Sequence, residues 1–413
     1  MATVRPFKAF RPKPEYAGEV AARPYDVLSS DEARHEVVGH PLSFLHVGKP
    51  EVDLDPALDH YDPKVYAKAK ENLLKLIDQG VLVEDPAPFL YVYAQTMEGR
   101  IQYGIVGCAS VEEYLNDTIK KHELTRKDKE EDRCKHVRTT NSHSGPIFLT
   151  YPDNRQIDAI VSKVTSAQPE NDFDASDGIR HQTWVIRDPA TMKTLQQLFA
   201  GVRNLYVADG HHRTAAASIV GLERKQANPR HRGDEEYNFF LAVCFPAGQL
   251  RILDYNRVVK DTNGLSVDQF FDGVKKTFSL SKIQGRPRLS NKGEFGLYLG
   301  GDWYMFSAPE SLLKKSDPVE RLDVTILQKH LLDPILGIKD PRTDKRVDFV
   351  GGIRGMGELE KRVDSGEMKL AISMFPTSIH ELMAIADAGK IMPPKSTWFE
   401  PKLRDGLFVH FLD

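Results

Sequence analysis

Apolar and polar positions alternate along the first half of the chain in a way that predicts strands and helices in turn. Asp62-Pro63 is an N-cap followed by proline at the first helical position, and apolar residues recur at helical spacing from there to Gly80. Residues 89–96 and 101–109 have the character of two strands joined by a hairpin turn. Further strands are predicted at 146–150, 183–186 and 205–208, and further helices from 110, over 157–164, from 188 and over 213–225.

The pattern restarts after a polar stretch at residues 227–236. The second half predicts two hairpins, separate helices and strands, and a terminal strand: hairpins at 239–245 with 250–255 and at 296–299 with 303–306, helices near 322–332 and from 378, and strands at 370–375 and 406–411. Strands that alternate with helices indicate a mixed α/β, or α+β, fold. We therefore divide the chain into an N-terminal extension packed on a core (1–100), the core (101–230) and a second α+β domain (231–413).

Composition narrows the classes of protein that fit. The 413 residues carry 56 Lys and Arg against 59 Asp and Glu, a net charge of −3, which argues against nucleic acid or an anionic membrane as a partner. The longest apolar run, residues 239–245, is far shorter than the roughly 20 residues of a membrane helix. Three scattered cysteines offer neither a disulfide framework nor a zinc knuckle. We expect a cytoplasmic protein without a membrane partner, and its oligomeric state, a homodimer included, stays open.

The sharpest chemical signal is the segment Asp-Gly-His-His-Arg at 209–213, directly after the predicted strand at 205–208. The glycine lets the backbone turn, and the histidines and arginine then stand where a helix begins. A helix N-terminus offers free N–H groups and partial positive charge, which suit a phosphate, and Arg213 could grip its oxygens. The histidines could bind phosphate or move a proton, and Asp209 could hold Mg²⁺ or accept a proton.

Two other interpretations of this segment stay open. In one it is only a capped helix, in which Asp209 bonds backbone amides and the histidines are solvated. In the other, Asp209, His211 and His212 bind a metal ion. Adjacent histidines point in different directions, so a shared ion needs special geometry.

His122-Glu123 is a weaker signal by itself, because the same dipeptide occurs at 35–36 and at 380–381. It differs from the second of these in that no helix signal accounts for it. It precedes the charged run 126–136, whose mixed signs are typical of a helix with a solvated face. That run contains no aromatic residue that could stack on nucleic acid.

Near the end of the chain, residues 392–399 combine a rigid proline turn with Lys395, Ser396 and Thr397. These three side chains could line an anion, although the segment lacks the glycine spacing of a Walker P-loop. The alternative is a proline-anchored loop packed through Trp398.

A set of short motifs spread over the whole chain resembles one family. They include Arg-Pro-Phe at 5–7, Pro-Tyr-Asp-Val at 24–27, Ser-Phe-Leu-His-Val at 43–47, His-Glu-x-Thr at 122–125, Asp-Arg at 132–133, Gly-Pro-Ile at 145–147, the segment 209–213, Tyr-Asn-Arg-Val-Val at 255–259, Met-Phe-Pro-Thr at 374–377 and Met-Pro-Pro-Lys-Ser-Thr at 392–397. On these motifs the chain is identified as a full-length member of the bacterial and archaeal family catalogued as domain of unknown function 1015 (DUF1015).

The central part of the chain, roughly residues 100 to 230, is similar to ParB/sulfiredoxin-like domains and in particular to the free-serine kinases built on that scaffold. Those enzymes pair a His-Glu segment with an Asp-Gly-His-His-Arg-type segment in the same order along the chain. The resemblance implies that Glu123 activates a serine hydroxyl and that residues 209–213 handle nucleotide phosphates and Mg²⁺. The long C-terminal half is a departure from the compact kinases.

The motifs and the resemblance together define a candidate site. Its catalytic residues are Glu123, Asp209 and His212, its nucleotide-binding residues are His211, Arg213, Thr214, Lys395, Ser396 and Thr397, its substrate-binding residues are His122 and Arg133, and its Mg²⁺ ligand is Asp209. We predict a phosphotransferase that uses ATP or ADP and Mg²⁺ on free serine or a similar small hydroxy amino acid, or that runs in reverse on phosphoserine. The alternatives are a nucleotide-binding or DNA-associated ParB-like regulatory protein and a metal-dependent phosphohydrolase.

Overall fold

The structure is a computed structural model that describes residues 1–413. It has the mixed α+β character predicted from the sequence, with several sheets and many helices. The chain forms two compact units. Unit 1 comprises Met1–Leu250 and Pro401–Asp413, and unit 2 comprises Arg251–Glu400.

Unit 1 is built on a nine-stranded mixed sheet. Its strands lie in the order Ile119–Lys120, Leu205–Asp209, Ile147–Tyr151, Phe239–Pro246, Arg100–Ser110, Leu90–Met97, Arg180–Ile186 and Asn171–Asp174, with Val4–Arg5 also paired to Arg100–Ser110. The first two strands of this order are parallel to each other. Because parallel neighbours run toward the same edge of a sheet, the chain leaves the sheet in the same direction after Lys120 and, three residues beyond the partner of Lys120, after Asp209.

Unit 1 contains nine α-helices. They are Ala17–Val20, Ser30–Glu36, Leu45–Gly48, Pro63–Asp78, Val111–Leu115, Lys127–Thr140, Arg155–Thr165, Pro189–Ala200 and His211–Ala227. Asp62, Ser110 and Asp188 each accept a hydrogen bond from a backbone amide of the first turn, as predicted. No helix of the protein is both long enough and apolar enough to span a membrane.

The core of unit 1 lies between the sheet and these helices. Ile157, Phe199 and Ala217 come from three helices and belong to one apolar cluster with Leu149 and Val207 of the sheet. Burial of such side chains stabilises the sheet by about 25 cal/mol for each square ångström removed from water. The strand before Gly210 and the helix after it therefore both pack into this apolar cluster, through Val207 and Ala217.

Two small strand pairs complete unit 1. Phe10–Pro12 pairs with Leu82–Glu84, and Ser142–His143 pairs with His410–Phe411. The second pair fixes the end of the chain on unit 1. The predicted terminal strand at 406–411 is thus present only as its last two residues.

Unit 2 is built on a six-stranded antiparallel sheet in the order Ser279–Lys282, Asp302–Ser307, Glu294–Leu299, Leu370–Met374, Tyr255–Val259 and Val347–Gly351. Arg251–Leu253 pairs separately with Trp398–Glu400. Its helical segments are Val267–Lys275, Glu310–Leu313, Asp323–Leu327, Gln328–Leu332, Gly355–Asp364 and Ile379–Asp387. Ser266 and Ser378 each form a capping box at the start of a helix, and the second of these helices begins where the sequence predicts it.

The predicted hairpin of strands at 239–245 and 250–255 is wrong. Phe239–Pro246 lies inside the sheet of unit 1, between Arg100–Ser110 and Ile147–Tyr151. Nearly all of its residues are buried, because both of its faces are covered. For this reason the division between the compact units falls after residue 250, whereas the sequence pattern broke near 230.

The charged run at 126–136 also differs from its prediction as a solvated face. It forms most of the helix Lys127–Thr140, but Asp132, Cys134 and His136 are buried. One side of this strongly charged helix therefore faces the interior of unit 1. The side chain of Arg133 is also largely buried there.

Candidate functional site

The segment 209–213 forms a tight strand–turn–helix. Strand Leu205–Asp209 ends at the aspartate, Gly210 takes a left-handed conformation with φ of 93°, and the helix begins at His211. A side chain is strained in this region of backbone space. A Cβ at this position would also lie 3.2 Å from Nε of Arg213, so both the turn and the arginine favour glycine.

Asp209 is held as an anion by a lysine from the end of the chain. Its Oδ2 accepts a hydrogen bond from Nζ of Lys402 at 3.1 Å, and its Oδ1 accepts one from the amide of Gly210 at 3.0 Å. Burial by itself would raise the pKa of Asp209, but the charges of Lys402 and Arg213 lower it to about 2. The carboxylate is therefore ionised at neutral pH.

His211 meets the His122-Glu123 dipeptide. Its Nδ1 lies 3.7 Å from Oε2 of Glu123, and its ring packs edge-to-face on that of His122 with 4.4 Å between centroids. Three atoms, one from each side chain and each able to bind a metal ion, lie within 4.8 Å of one another. We call these three residues the imidazole cluster.

The histidines of the imidazole cluster are neutral at pH 7. Burial lowers the pKa of His211 to about 4, and burial together with the neighbouring His211 holds the pKa of His122 well below its usual value. Nε2 of His211 and both ring nitrogens of His122 are buried and make no hydrogen bond of good geometry, although the backbone of Val207 interacts weakly with the His122 ring. Glu123 differs from both, since 48% of its side chain is exposed.

His212 points away from this cluster, because adjacent positions of a helix face about 100° apart. Its Nε2 accepts a hydrogen bond from the backbone amide of Arg126 at 3.0 Å. Thr214 is buried, and its hydroxyl donates to the carbonyl oxygen of Gly210 at 3.0 Å. Its hydroxyl therefore stabilises the first turn of the helix.

Arg213 lies in a second cluster, which we call the arginine pocket: Tyr25, Arg133, Gly145, Arg213 and Asp405. These residues line a small cavity that is partly open to solvent. Arg213 donates from Nη1 to the carbonyl oxygen of Pro146 at 2.9 Å, and its Nε is buried without a partner. Arg133 donates from Nε and Nη2 to Oδ2 of Asp132, and its guanidinium lies 3.9 Å from the centre of the Tyr25 ring. Two guanidinium groups thus line one cavity, and they provide the positive charge and N–H donors that bind an anion.

Asp405 is the carboxyl group of this pocket. Its Oδ1 is 3.8 Å from Nη1 of Arg213, and a Cβ on Gly145 would approach that oxygen to 2.7 Å. Burial raises the pKa of Asp405 to about 7, and the negative charge of Asp26 adds to this effect. The positive charge of Arg213 lowers the pKa but does not outweigh burial. Asp405 therefore changes charge near neutral pH.

Sequence reasoning missed Lys402 and Asp405. Lys402 reaches Asp209 across 193 positions of the chain, so no local pattern connects them. Tyr25 lies in a motif quoted for the family resemblance, but no chemistry was assigned to it. The pairing of His410–Phe411 with Ser142–His143 is what returns this segment to unit 1.

Lys395, Ser396 and Thr397 lie in unit 2. The Ser396 hydroxyl donates to the carbonyl oxygen of Pro393 at 2.6 Å, and Nζ of Lys395 stands 5.4 Å from the centre of the Tyr255 ring. Lys395 has a positive φ of 58°. The assignment of these three residues to nucleotide binding stays a prediction.

The site is that of a mixed α+β protein in which a buried imidazole–carboxylate cluster and an arginine-lined pocket share one helix N-terminus. The chain belongs to the family described as protein of unknown function DUF1015, whose sequence pattern matches residues 4–325. No curated protein matches the chain.

Solved structures with some likeness include a conserved hypothetical protein from Pyrococcus furiosus, at 14% identity and a TM-score of 0.35, covering 75% of this chain and 95% of that one. They also include a free serine kinase in complex with AMP, at 13% identity and a TM-score of 0.36, covering 74% and 91%. A third is SbnI with a C-terminal truncation from Staphylococcus aureus, at 11% identity and a TM-score of 0.39, covering 74% and 87%. At these values the chemistry has to be argued from the chain's own residues.

Proposed function

We propose that the protein is a phosphotransferase that moves a phosphoryl group between ATP or ADP and free serine or a similar small hydroxy amino acid. The observation that supports this most is the approach of Glu123 to His211 at 3.7 Å. Glu123 would be the base for the acceptor hydroxyl, and the helix that begins at His211 would bind the phosphates. They come from separate segments of the chain, and here they lie next to each other. Phosphoryl transfer needs little beyond such positioning and charge neutralisation.

In the proposed step Glu123 accepts the proton of the acceptor hydroxyl. The hydroxyl oxygen forms a bond to phosphorus, and the bond from phosphorus to the leaving nucleotide oxygen breaks, so the nucleotide departs with the electron pair. The half-exposed carboxylate can be reached by a small acceptor. Run in reverse, the same residue returns the proton to serine.

Arg213 and Arg133 would hold the phosphates. The unpartnered Nε of Arg213 is a free donor beside the helix N-terminus, where an anion is favoured. Mg²⁺, when bound, would neutralise charge on the phosphates, and the carboxyl groups of Asp209 and Glu123 offer oxygen donors of the kind it prefers. Asp209 would have to exchange Lys402 for the ion. On the motif resemblance we also assign residues 101–230 to a ParB/sulfiredoxin-like scaffold.

Phosphorus NMR of the purified protein tests the proposal. One tube contains Mg²⁺, ATP or ADP, and L-serine, and a second contains Mg²⁺, phosphoserine, and AMP or ADP. A phosphoserine signal in the first tube, or its loss in the second with a matching gain of nucleotide phosphate, supports the proposal and gives the direction. Inorganic phosphate formed only from phosphoserine would make the protein a phosphatase. No change in either tube would overturn serine as the acceptor.

The role of Glu123 is tested by Glu123→Gln, which keeps the size of the side chain and removes the base. We expect turnover to fall by about a hundredfold or more while nucleotide affinity is retained. Glu131→Gln is the matched control, since Glu131 is an exposed glutamate on the neighbouring helix Lys127–Thr140. Full activity of Glu123→Gln would remove Glu123 from the mechanism.

A further inference from the structure

The imidazole cluster is assembled by the parallel pairing of two strands. Ile119–Lys120 runs beside Leu205–Asp209, with Ile119 opposite Leu205 and Lys120 opposite Tyr206. His122 follows one strand by two residues and His211 follows the other by two. Both therefore leave the sheet toward the same edge, although Asp209 lies three residues beyond Tyr206, the partner of Lys120.

The cluster contains more unsatisfied polar atoms than a packed interior usually leaves. His122 is 2% exposed and His211 is 5% exposed, yet three of their four ring nitrogens make no hydrogen bond of good geometry, and the His122 ring has only a weak interaction with the backbone of Val207. The fourth, Nδ1 of His211, has only the Glu123 carboxylate at 3.7 Å. Buried side-chain polar atoms in folded proteins are bonded in the large majority of cases, and each unbonded atom costs about 1–3 kcal/mol. A ligand with affinity for imidazole lone pairs would satisfy them.

We propose that His122, Glu123 and His211 bind one divalent transition-metal ion, such as Zn²⁺, Mn²⁺ or Co²⁺. Two imidazoles and one carboxylate form a donor set that selects such ions over Mg²⁺, and three protein ligands leave positions open for water or substrate. Ligand atoms on one tetrahedral ion stand about 3.4 Å apart, since each bond is about 2.1 Å. The observed separations of up to 4.8 Å then require the side chains to close in by more than about an ångström when the ion binds.

The neighbouring candidates for a ligand are engaged elsewhere. His212 accepts its hydrogen bond from Arg126, and Asp209 is bonded to Lys402 and to the amide of Gly210. The predicted metal set of Asp209, His211 and His212 is therefore replaced by one in which only His211 remains.

This inference goes beyond the proposed phosphotransfer and does not depend on it. A carboxylate that binds a metal through one oxygen keeps its other oxygen, so Glu123 can be a ligand and still face an acceptor hydroxyl. Metal binding is measured in the absence of nucleotide and serine. The two proposals can therefore fail separately: ion binding without phosphoryl transfer refutes only the function, and transfer with Mg²⁺ but without ion binding refutes only this site.

The test is titration of the full-length, chelator-treated protein with Co²⁺ and Zn²⁺, followed by visible absorption and by calorimetry. We expect about one equivalent of ion, visible bands for Co²⁺ with nitrogen and oxygen ligands, and binding that survives an excess of Mg²⁺. His122→Gln, His211→Gln and Glu123→Gln should each weaken the affinity by about tenfold or more.

His35→Gln is the matched control, because it removes the exposed histidine of another His-Glu dipeptide and should leave the affinity unchanged. Circular dichroism checks that the two buried histidine variants are folded. Glu123→Gln alters a half-exposed side chain, so it keeps the test valid if the other variants unfold. The proposed site would be refuted if the wild-type protein bound no ion. It would also be refuted if both Glu123→Gln and a folded histidine variant bound the ion with wild-type affinity.

Discussion

The imidazole cluster and the arginine pocket begin on the same turn of one helix and have opposite chemistry. His211 contributes to the first and Arg213 to the second, because residues two apart on a helix face different directions. The imidazole cluster presents neutral nitrogen lone pairs, which suit a cation. The arginine pocket presents a buried guanidinium with an unbonded N–H, which suits an anion.

A single strand–turn–helix can therefore contact a charged substrate from two sides with groups of opposite character. A nucleotide phosphate bound with a divalent ion needs donors for the phosphate oxygens and lone pairs for the ion. The two clusters supply one each. The comparison can be tested by variants that damage one cluster and leave the other intact.

The largest effect is expected for Arg213→Met. We expect ADP or ATP affinity to fall by about a hundredfold, because the variant removes a buried, charge-assisted donor. Binding of Co²⁺ at the imidazole cluster should be retained. Calorimetric titration with nucleotide, and separately with Co²⁺, measures both quantities on the same protein.

Arg224→Met is the control for this variant. Arg224 lies on the last turns of the same helix and pairs with Asp413 at the surface, so we expect no change in nucleotide affinity. Arg213→Lys keeps the charge but loses the planar fork of donors, and should fall between the two. Unchanged nucleotide affinity in a folded Arg213→Met protein would contradict the role of the pocket.

The elements on either side of this site could be predicted from the sequence because their signals are local. Apolar positions end at Ala208, the glycine follows the acid, and the alanine-rich stretch after Arg213 continues as a helix. The cap at Asp188 was equally clear. The strand Phe239–Pro246 was recognised as a strand, but its partners were not, since an apolar segment does not encode which strands will cover it.

The arginine pocket could be predicted only in part for the same reason. The sequence singles out Arg133 and Arg213 but not Asp405, because the backbone of Asp405 pairs with Ala22, which is remote along the chain. The charged run that contains Arg133 was interpreted as a solvated face. Its mixed signs gave no indication that the residues in its middle would be buried.

A smaller effect is expected for Gly210→Ala, which disturbs the turn that serves both clusters. The left-handed backbone at this position costs a side chain about 1–2 kcal/mol of stability, and the added carbon contacts Arg213. We expect a lower melting temperature together with nucleotide affinity weakened by about tenfold. Thermal unfolding and calorimetry measure the two effects.

Gly178→Ala separates strain from contact. Gly178 has a φ of 76°, and a Cβ there would have no atom within 4 Å. This control should lose a similar amount of stability and keep its nucleotide affinity. Equal nucleotide affinity in the two alanine variants would mean that the turn does not position Arg213.

The smallest effect, and the most specific to the arginine pocket, is the pH dependence of anion binding. Below about pH 7 Asp405 is mostly protonated, and the charges of Arg213 and Arg133 are available to an anion. Above that pH the ionised carboxyl group opposes an anion together with Asp26. Sulfate is the suitable probe, because it does not titrate in this range. We expect its affinity to fall about fivefold between about pH 6 and 8 in the wild type.

Asp405→Asn should abolish this dependence, because the amide stays neutral throughout. Stability supplies an independent check of the same group. The folded pKa of Asp405 lies above the unfolded value of 3.8, so the folded protein binds this proton more tightly, and the resulting stability is lost as the pH rises from about 4 through about 7. The asparagine variant should lose that slope as well. If the pH dependence of sulfate affinity persists in Asp405→Asn, another group is responsible for the titration. The affinity for Co²⁺, measured at one pH, should be the same in both proteins, because Asp405 belongs only to the arginine pocket.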